Sequence, residues 1–315
     1  MNADDGVLDL EVVQMRKESE GVISVVLADP EGRTLPAWTP GAHVDLYVGD
    51  HVRQYSLCGD PADRTSFRVG VLREPASEGG SAWVHEELRV GDRVEVGGPR
   101  NHFELVDAPS YVFVAGGIGI TPILPMIRSV EALGRPWQLA YAGRSIRTMA
   151  FLDELRVHEG RVALWDADVR GRIDVAQLVG PGDIGTAVYC CGPESLIDAV
   201  EDACADWIDG AAFAERFAGR VLTAEEIANE RPFEVVVAST GDRALVDRGR
   251  SIVDVLEGIG VTVPNACRDG VCGSCMTRVL KGTPEHRDSL LGPDDTDQMM
   301  LCVSRASSDE LVLDL

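Results

Sequence analysis

Cys267-Arg268-Asp269-Gly270-Val271-Cys272-Gly273-Ser274-Cys275, followed later by Leu301-Cys302-Val303, is the stretch that decides how this 315-residue chain is read. The spacing is C-x4-C-x2-C, then a long gap, then a fourth cysteine. That is the plant-type pattern in which four thiolates hold a [2Fe–2S] cluster. Gly270 and Gly273 suit such a loop, because a residue without Cβ permits tight turns and close approach of backbone amides to the sulfurs. Those N–H groups stabilise the negative cluster and tune its potential, typically about −400 mV for this ligand set. A cluster of this kind passes one electron at a time.

The plainer readings of the same cysteines fit less well. A zinc site more often shows two C-x2-C pairs, or cysteines mixed with histidine. Here one C-x2-C stands beside an x4 spacing, and His286 stands alone. Disulfides belong to exported chains. Met1-Asn2-Ala3-Asp4-Asp5-Gly6 has neither the basic nor the apolar segment of an export signal. An unexported chain meets a reducing compartment, where thiols stay free or bind metal.

Outward from the cluster loop, the chain is long enough for two or three domains, and 45% of its residues are apolar. No uninterrupted apolar run reaches membrane-spanning length. The nearest, Tyr111 to Ile127, is broken by Gly116, Gly117, Gly119, Thr121, Pro122 and Pro125. A soluble, cytoplasmic protein is expected. The net charge of −23 argues against nucleic acid, whose phosphates need a positive footprint. Acidity fits docking onto a basic patch of a protein partner, and it serves solubility equally well.

Residues 1–106 read as β-rich. Val22–Leu27, Ala42–Val48 and Phe67–Leu72 are short alternating runs separated by turns such as Asp29-Pro30-Glu31-Gly32 and Thr39-Pro40-Gly41, the pattern of a closed barrel. At Asp107-Ala108-Pro109 the pattern changes, and residues 107–222 read as an α/β layer. Tyr111–Ala115 is a continuous apolar run, as in a strand buried on both faces of a parallel sheet. Further strands are expected at Trp137–Tyr141 and Thr186–Cys190, with a helix around Phe151 to His158. Residues 223–231 read as a linker, or a short helix within one. Residues 232–315, opening with Phe233–Ala238, form a β-plus-helix domain that holds the cysteines.

The middle and front segments carry a matching chemistry. Gly116-Gly117-Ile118-Gly119-Ile120-Thr121-Pro122 follows a buried strand and opens a helix, so it aims free N–H groups at a phosphate or diphosphate. It departs from G-x-G-x-x-G at Pro122, and alone it reads sooner as a turn that packs a helix. Cys191-Gly192-Pro193 lies at the carboxyl end of another buried strand, where ligands of open α/β sheets bind. The plain alternative for Cys191 is a small buried residue. In front, Arg53-Gln54-Tyr55-Ser56 and Gly79-Gly80-Ser81 pair a multi-donor guanidinium with a turn exposing backbone N–H groups, both suited to phosphate. Cys58 and Cys204 read as packing residues, and His102 and His286 as structural or solvent-facing.

Arg-x-Tyr-Ser, then Gly-Gly-Ile-Gly-Ile-Thr-Pro, then Cys-Gly-Pro, then a plant-type ferredoxin loop: this order resembles the phthalate dioxygenase reductase family and the related vanillate O-demethylase reductases. The likeness runs on to Cys302-Val303-Ser304-Arg305-Ala306 and Glu310-Leu311-Val312-Leu313-Asp314-Leu315. It implies a multidomain α+β and α/β fold: a flavin-binding antiparallel β-barrel, a Rossmann-like NAD-binding α/β domain, and a C-terminal β-grasp [2Fe-2S] ferredoxin domain. By the same resemblance Arg53, Gln54, Tyr55, Ser56, Gly79, Gly80 and Ser81 hold the flavin. Gly116, Gly117, Gly119, Thr121, Pro122, Gly192 and Pro193 line the pyridine nucleotide site, with Cys191 near the nicotinamide. Glu215 lies near the hydride path and Phe217 stacks on the flavin. Cys267, Cys272, Cys275 and Cys302 bind the cluster.

The resemblance further implies FMN, with FAD as the alternative, and NADH, with NADPH as the alternative. After Tyr141 the family often places an acidic residue that repels a 2′-phosphate, whereas this chain has Gly143-Arg144-Ser145-Ile146-Arg147. The implied role is the reductase of a two-component oxygenase, serving a Rieske non-haem iron oxygenase or, alternatively, a cytochrome P450. A monomer is the default expectation, since the barrel and the ferredoxin can cover their own edges. A reading from another class is a non-catalytic electron carrier or redox sensor, in which the flavin and nucleotide motifs would have eroded. Here they stand.

Overall fold

Alternation of apolar and polar residues builds the first sheet. The strands β1 (Leu8–Ser19), β2 (Val22–Ala28), β3 (Ala42–Val48), β4 (His51–Ser56) and β5 (Ser66–Leu72) are followed by a short helix, α1 (Gly80–Glu86), and by β6 (Arg93–Asn101). All pairings are antiparallel, in the order β4-β3-β6-β1-β2-β5. Just past β4, Leu57 bridges Val69 and the Cys58 amide donates to the Arg68 carbonyl at 2.8 Å, which joins the two edges into a barrel. Val44, Leu46 and Val48 from β3 and Phe67, Val69 and Val71 from β5 fill its interior.

The second sheet is parallel. It contains β7 (Ser110–Gly116), β8 (Trp137–Gly143), β9 (Val162–Asp166), β10 (Thr186–Cys191) and β11 (Ala212–Glu215), in the order β11-β10-β7-β8-β9. Its helices are α2 (Ile120–Ala132), α3 (Leu152–Leu155), α4 (Ala167–Arg170), α5 (Val175–Val179) and α6 (Glu194–Cys204). The unbroken apolar run of β7 has a simple cause. Tyr111, Phe113 and Ala115 pack with Ile120, Ile123 and Ile127 of α2, whereas Val114 packs with α5 and α6 on the other face. The expected helix at Phe151–His158 is α-helical only over α3 and continues as a 3₁₀ turn, Arg156–His158, because Phe151 sits outside it with φ 59.

Beyond α7 (Ala224–Ala228) come β12 (Phe233–Val237), β13 (Arg243–Val246), α8 (Ile252–Gly258), β14 (Met276–Lys281), β15 (Pro284–Glu285), β16 (Gln298–Met300), β17 (Arg305–Ala306) and β18 (Glu310–Leu313). A mixed sheet ordered β13-β12-β18-β14-β16 packs against α8 around Val235, Ile252, Leu256, Met299 and Leu311. The parallel β12–β18 pair inside an otherwise antiparallel sheet, with a helix on its face, is the β-grasp arrangement. The computed structural model describes residues 7–74, 79–180, 185–207 and 212–315. Contacts divide the chain into two units, Met1–Arg216 and Phe217–Leu315. Residues 1–6, on which the expectation of an unexported chain rests, lie outside the described residues. Among those described, no helix is long and apolar enough to cross a membrane.

Candidate cofactor sites

The chain leaves β7 for β8 on one side and returns to its other side at β10, so strand order reverses between β7 and β10. Ligands of open α/β sheets bind at the carboxyl ends of strands flanking such a reversal. Two sequence motifs meet there. A Cβ on Gly119 would lie 2.2 Å from the Cys191 carbonyl oxygen, and one on Gly192 would lie 2.8 Å from Gly116 Cα. Only glycine permits this backbone-to-backbone approach. Gly117, at φ 55, turns the loop with open space where its side chain would be. Thr121 is buried and donates its hydroxyl to the Ile118 carbonyl at 2.9 Å. Pro122 follows in the first turn of α2, where a missing N–H is harmless. The Pro193 ring, ahead of α6, fills the space a Gly116 side chain would take.

Ala115, Cys191 and Glu215 stand in register across β7, β10 and β11. Burial, reinforced by Glu215 beside it, pushes the Cys191 thiol far above its ordinary range, so it is a neutral thiol. Burial likewise raises the Glu215 carboxyl to about 8. Its Oε2 is sealed from solvent and has no hydrogen-bond partner among the described residues. A buried polar atom without a partner calls for an explanation. A neutral carboxyl at a ligand-binding strand end fits the polar edge of a bound heterocycle.

On the barrel, Arg53 and Tyr55 share one face of β4, and Gln54 and Ser56 the other. Gly80 lies so close to Arg53 that a Cβ would fall 2.6 Å from Arg53 Cγ. Gly79, at φ 116, makes the turn into α1 beside His51. Arg53 therefore lies against the first turn of α1, whose amides have no acceptor within the helix. Ser81 is buried and accepts from the Glu74 amide at 3.2 Å. Burial pushes the Tyr55 phenol up to about 12 despite the nearby Arg53, so it stays a neutral donor. Gln54 turns away and donates to Asp45 at 3.0 Å; Asp45 also takes Arg100 at 2.6 Å. Asp45 was not singled out by sequence reasoning, although a carboxylate inside the apolar run Ala42–Val48 is itself a signal.

The cluster loop is curled by three left-handed residues, Arg268 (φ 59), Gly270 (φ 71) and Gly273 (φ 76). The Asp269 amide donates to Cys267 Sγ at 3.3 Å and the Ser274 amide to Cys272 Sγ at 3.4 Å. Successive amides aimed into one concavity suit a negative centre. The thiols touch in sequence, Cys272 to Cys267 to Cys302 to Cys275. Hydrogen bonds from Cys272 and Cys302, helped by the Asp269 and Val271 amides, hold the Cys267 thiol far below its ordinary range. A thiolate is the form that ligates metal. Four sulfur donors backed by amides are the donor set that a [2Fe–2S] cluster needs. Arg268 donates to Asp254 at 2.7 Å, Glu257 at 2.8 Å and Asn265 at 3.0 Å, a clamp that sequence reasoning missed. Phe217 opens the second unit with its side chain exposed.

At the far side of the parallel sheet, Arg144 is exposed past the end of β8 and Arg147 lies 3.6 Å from Glu20. Asp166 closes β9 and accepts from the Ile146 amide at 3.1 Å, which brings a carboxylate to this arginine loop. That residue also escaped the sequence reading, because it lies on the next strand.

Comparison with known proteins agrees with this layout. The family described as "2Fe-2S iron-sulfur cluster binding domain" matches residues 235–307. Phenoxybenzoate dioxygenase subunit beta of Ectopseudomonas oleovorans is 42% identical over 303 residues, 94% of each chain. Among solved structures, phthalate dioxygenase reductase, described as a modular structure for electron transfer from pyridine nucleotides to [2Fe-2S], superposes with a TM-score of 0.74. It is 38% identical, with 99% of both chains covered. An intact type IV self-sufficient cytochrome P450 monooxygenase superposes at 0.91 with 41% identity; 98% of this chain matches, spanning 41% of that longer one. The barrel, the glycine loop at the strand reversal and the four-cysteine loop occur here in one chain of matching length, and the chain belongs to the phthalate dioxygenase reductase family of oxygenase-linked oxidoreductases.

Proposed function

We propose that the chain is an NADH-dependent reductase that uses FMN and a [2Fe-2S] cluster to supply single electrons to a separate Rieske non-haem iron oxygenase. The observation that carries this reading is the meeting of the Gly116–Pro122 loop with Cys191–Pro193 at the strand reversal, in a chain that also presents three thiols on an amide-lined loop with a fourth, Cys302, beside them. A flavin held there would supply the exchange between two-electron hydride chemistry and one-electron transfer, matching a nicotinamide donor to a one-electron cluster.

The protein's part is placement. Arg53 and the first-turn amides of α1 hold the flavin phosphate, and Tyr55 and Ser56 border its ring. The glycine loop carries the nucleotide diphosphate on the amides opening α2. Cys191, neutral and buried, gives an uncharged floor beneath the nicotinamide, and neutral Glu215 meets a polar edge of the heterocycles. Phe217 offers an exposed ring of the kind that covers a flat one. Holding the reacting atoms in a near-attack geometry is the main rate contribution, since no side chain need act as nucleophile or base. NADH is preferred because the Asp166 carboxylate opposes a 2′-phosphate beside Arg144. The likeness to a self-sufficient P450 supports a second reading, in which the acceptor is a P450.

Anaerobic titration with NADH tests the core of the reading. Flavin and cluster absorbance should both be lost by about one and a half equivalents, and boiling should release FMN. A cluster spectrum that ignores reduced nicotinamide makes the protein a carrier or sensor instead. Product formed with a P450 but with no Rieske oxygenase decides for the second reading.

A further inference from the structure

On β5, Phe67, Val69 and Val71 enter the barrel core, so Arg68, Gly70 and Leu72 face outward. That outer face is not left to water. Leu72 packs on the core of the α/β layer, and a Cβ on Gly70 would lie 2.7 Å from the Thr121 methyl carbon and 3.0 Å from the Phe151 ring. Arg68 lies over the Phe151 ring, 4.8 Å from its centre. A half-buried guanidinium needs a carboxylate, and Glu154 of α3 is paired with it. The same carboxylate takes Arg128 of α2 at 2.6 Å. Arg128 in turn donates to two barrel carbonyls, Gly59 at 2.6 Å and Cys58 at 3.2 Å. One carboxylate thus joins an arginine of the barrel to an arginine of the α/β layer. The side chains are 21%, 27% and 34% exposed for Arg68, Glu154 and Arg128, sheltered enough to resist the screening that weakens surface pairs. Phe151, bulky and left-handed at φ 59, shows the packing here overruling local preference.

We propose that Glu154, held between Arg68 and Arg128, is a positioning residue for hydride transfer. It fixes the barrel against the α/β layer. Through Gly70 and Thr121 it fixes the glycine loop, because Thr121 belongs to both the interface and the loop. Glu154 itself exchanges no proton or electron; the hydride passes from nicotinamide to flavin. The inference rests on the reading that the barrel holds the flavin and the loop the diphosphate of the nicotinamide nucleotide.

Glu154→Gln keeps the shape and removes the charge. FMN content and NAD⁺ affinity should stay within about twofold of the parent, while flavin bleaching in anaerobic stopped flow slows at least about tenfold. Amide hydrogen exchange should quicken across residues 66–72 and 117–122, in the FMN-free protein as well, and stay unchanged across 233–313. Glu154→Asp should regain part of the rate. Bleaching at parental speed overturns the proposal, as does slow bleaching with unaltered exchange. Should Glu154→Gln be recovered unfolded, Arg128→Lys, which keeps the charge but loses the forked geometry, carries the same measurements to the same decisions. A parent protein that ignores reduced nicotinamide removes the flavin–nicotinamide reading and this proposal together. A responsive parent matched by its variant removes the proposal alone.

Discussion

Arg268, between the first cluster cysteine and the glycine turn, adopts a conformation that costs a non-glycine residue about 1 kcal/mol. Its guanidinium reaches Asp254 and Glu257 in two half-exposed ion pairs, each contributing at most about 1 kcal/mol after screening. Clamp and strain nearly balance. Arg268→Ala loses the clamp and keeps the strain, so it should lower stability of the ferredoxin unit by roughly 1–2 kcal/mol and reduce bound iron. Arg268→Gly loses both and should stay nearer the parent. Denaturant midpoints and iron per chain check this, and equal behaviour of the two variants rules out strain as the reason. Glu215 makes a prediction of the other kind. Its folded value, about 8, lies above the ordinary 4.5, so the folded state holds the extra proton between them. Stability from this group is complete below about 4.5 and is lost as pH rises through about 8. Melting temperature should therefore fall from pH 6 to pH 9, and Glu215→Gln should flatten that slope. A slope unchanged in the variant would place the proton elsewhere.

At the scale of elements, the proposed nucleotide site is two strand ends pressed together. A methyl group on Gly119 would meet the Cys191 backbone, which cannot rotate aside as a side chain can. Overpacking of this sort costs about 1–3 kcal/mol. Gly119→Ala should weaken NADH binding more than about tenfold or lower stability by about 2 kcal/mol, whereas Gly117→Ala meets open space and carries only the strain of its φ of 55, about 1 kcal/mol. Binding titrations and thermal melts of both variants decide it; an indifferent Gly119→Ala would mean that β7 and β10 part easily. This contact also marks the limit of reading the sequence. β2, β3, β5, β7, β8 and β10 were legible because alternation or an unbroken apolar run leaves a local trace. The glycines were legible as a loop. That Gly119 faces Cys191, seventy-odd positions away, is set by strand order, which no local pattern encodes. Asp45 with Arg100, Arg68 with Glu154, and Asp166 beside the Arg144–Arg147 loop were hidden for the same reason. The helix expected at Phe151–His158 came out shorter because Phe151 answers to the barrel packed against it, not to its own periodicity.

For the whole molecule, the net charge of −23 can do one of two things that salt separates. If acidity only keeps the chain soluble, the rate of reduction of a terminal oxygenase will not depend on ionic strength. If it steers the encounter, attraction acts over a Debye length of about 8 Å at physiological salt and about 3 Å at 1 M, and steering fades across that range. The steps inside the protein provide the control. On the proposed assignment, flavin bleaching by bound NADH takes place among half-buried groups such as Arg53, Tyr55 and Glu215, where mobile ions have little access. Raising salt from 50 mM to 500 mM should slow reduction of the oxygenase at least about tenfold and leave bleaching within about twofold. Parallel stopped-flow series of the two steps make the comparison. Loss of both rates together would mean that salt disturbs the reductase itself, and loss of neither would assign the charge to solubility. Loss of the partner step alone requires a basic face on the oxygenase, so the reductase's composition would then constrain the surface of a protein it meets only briefly.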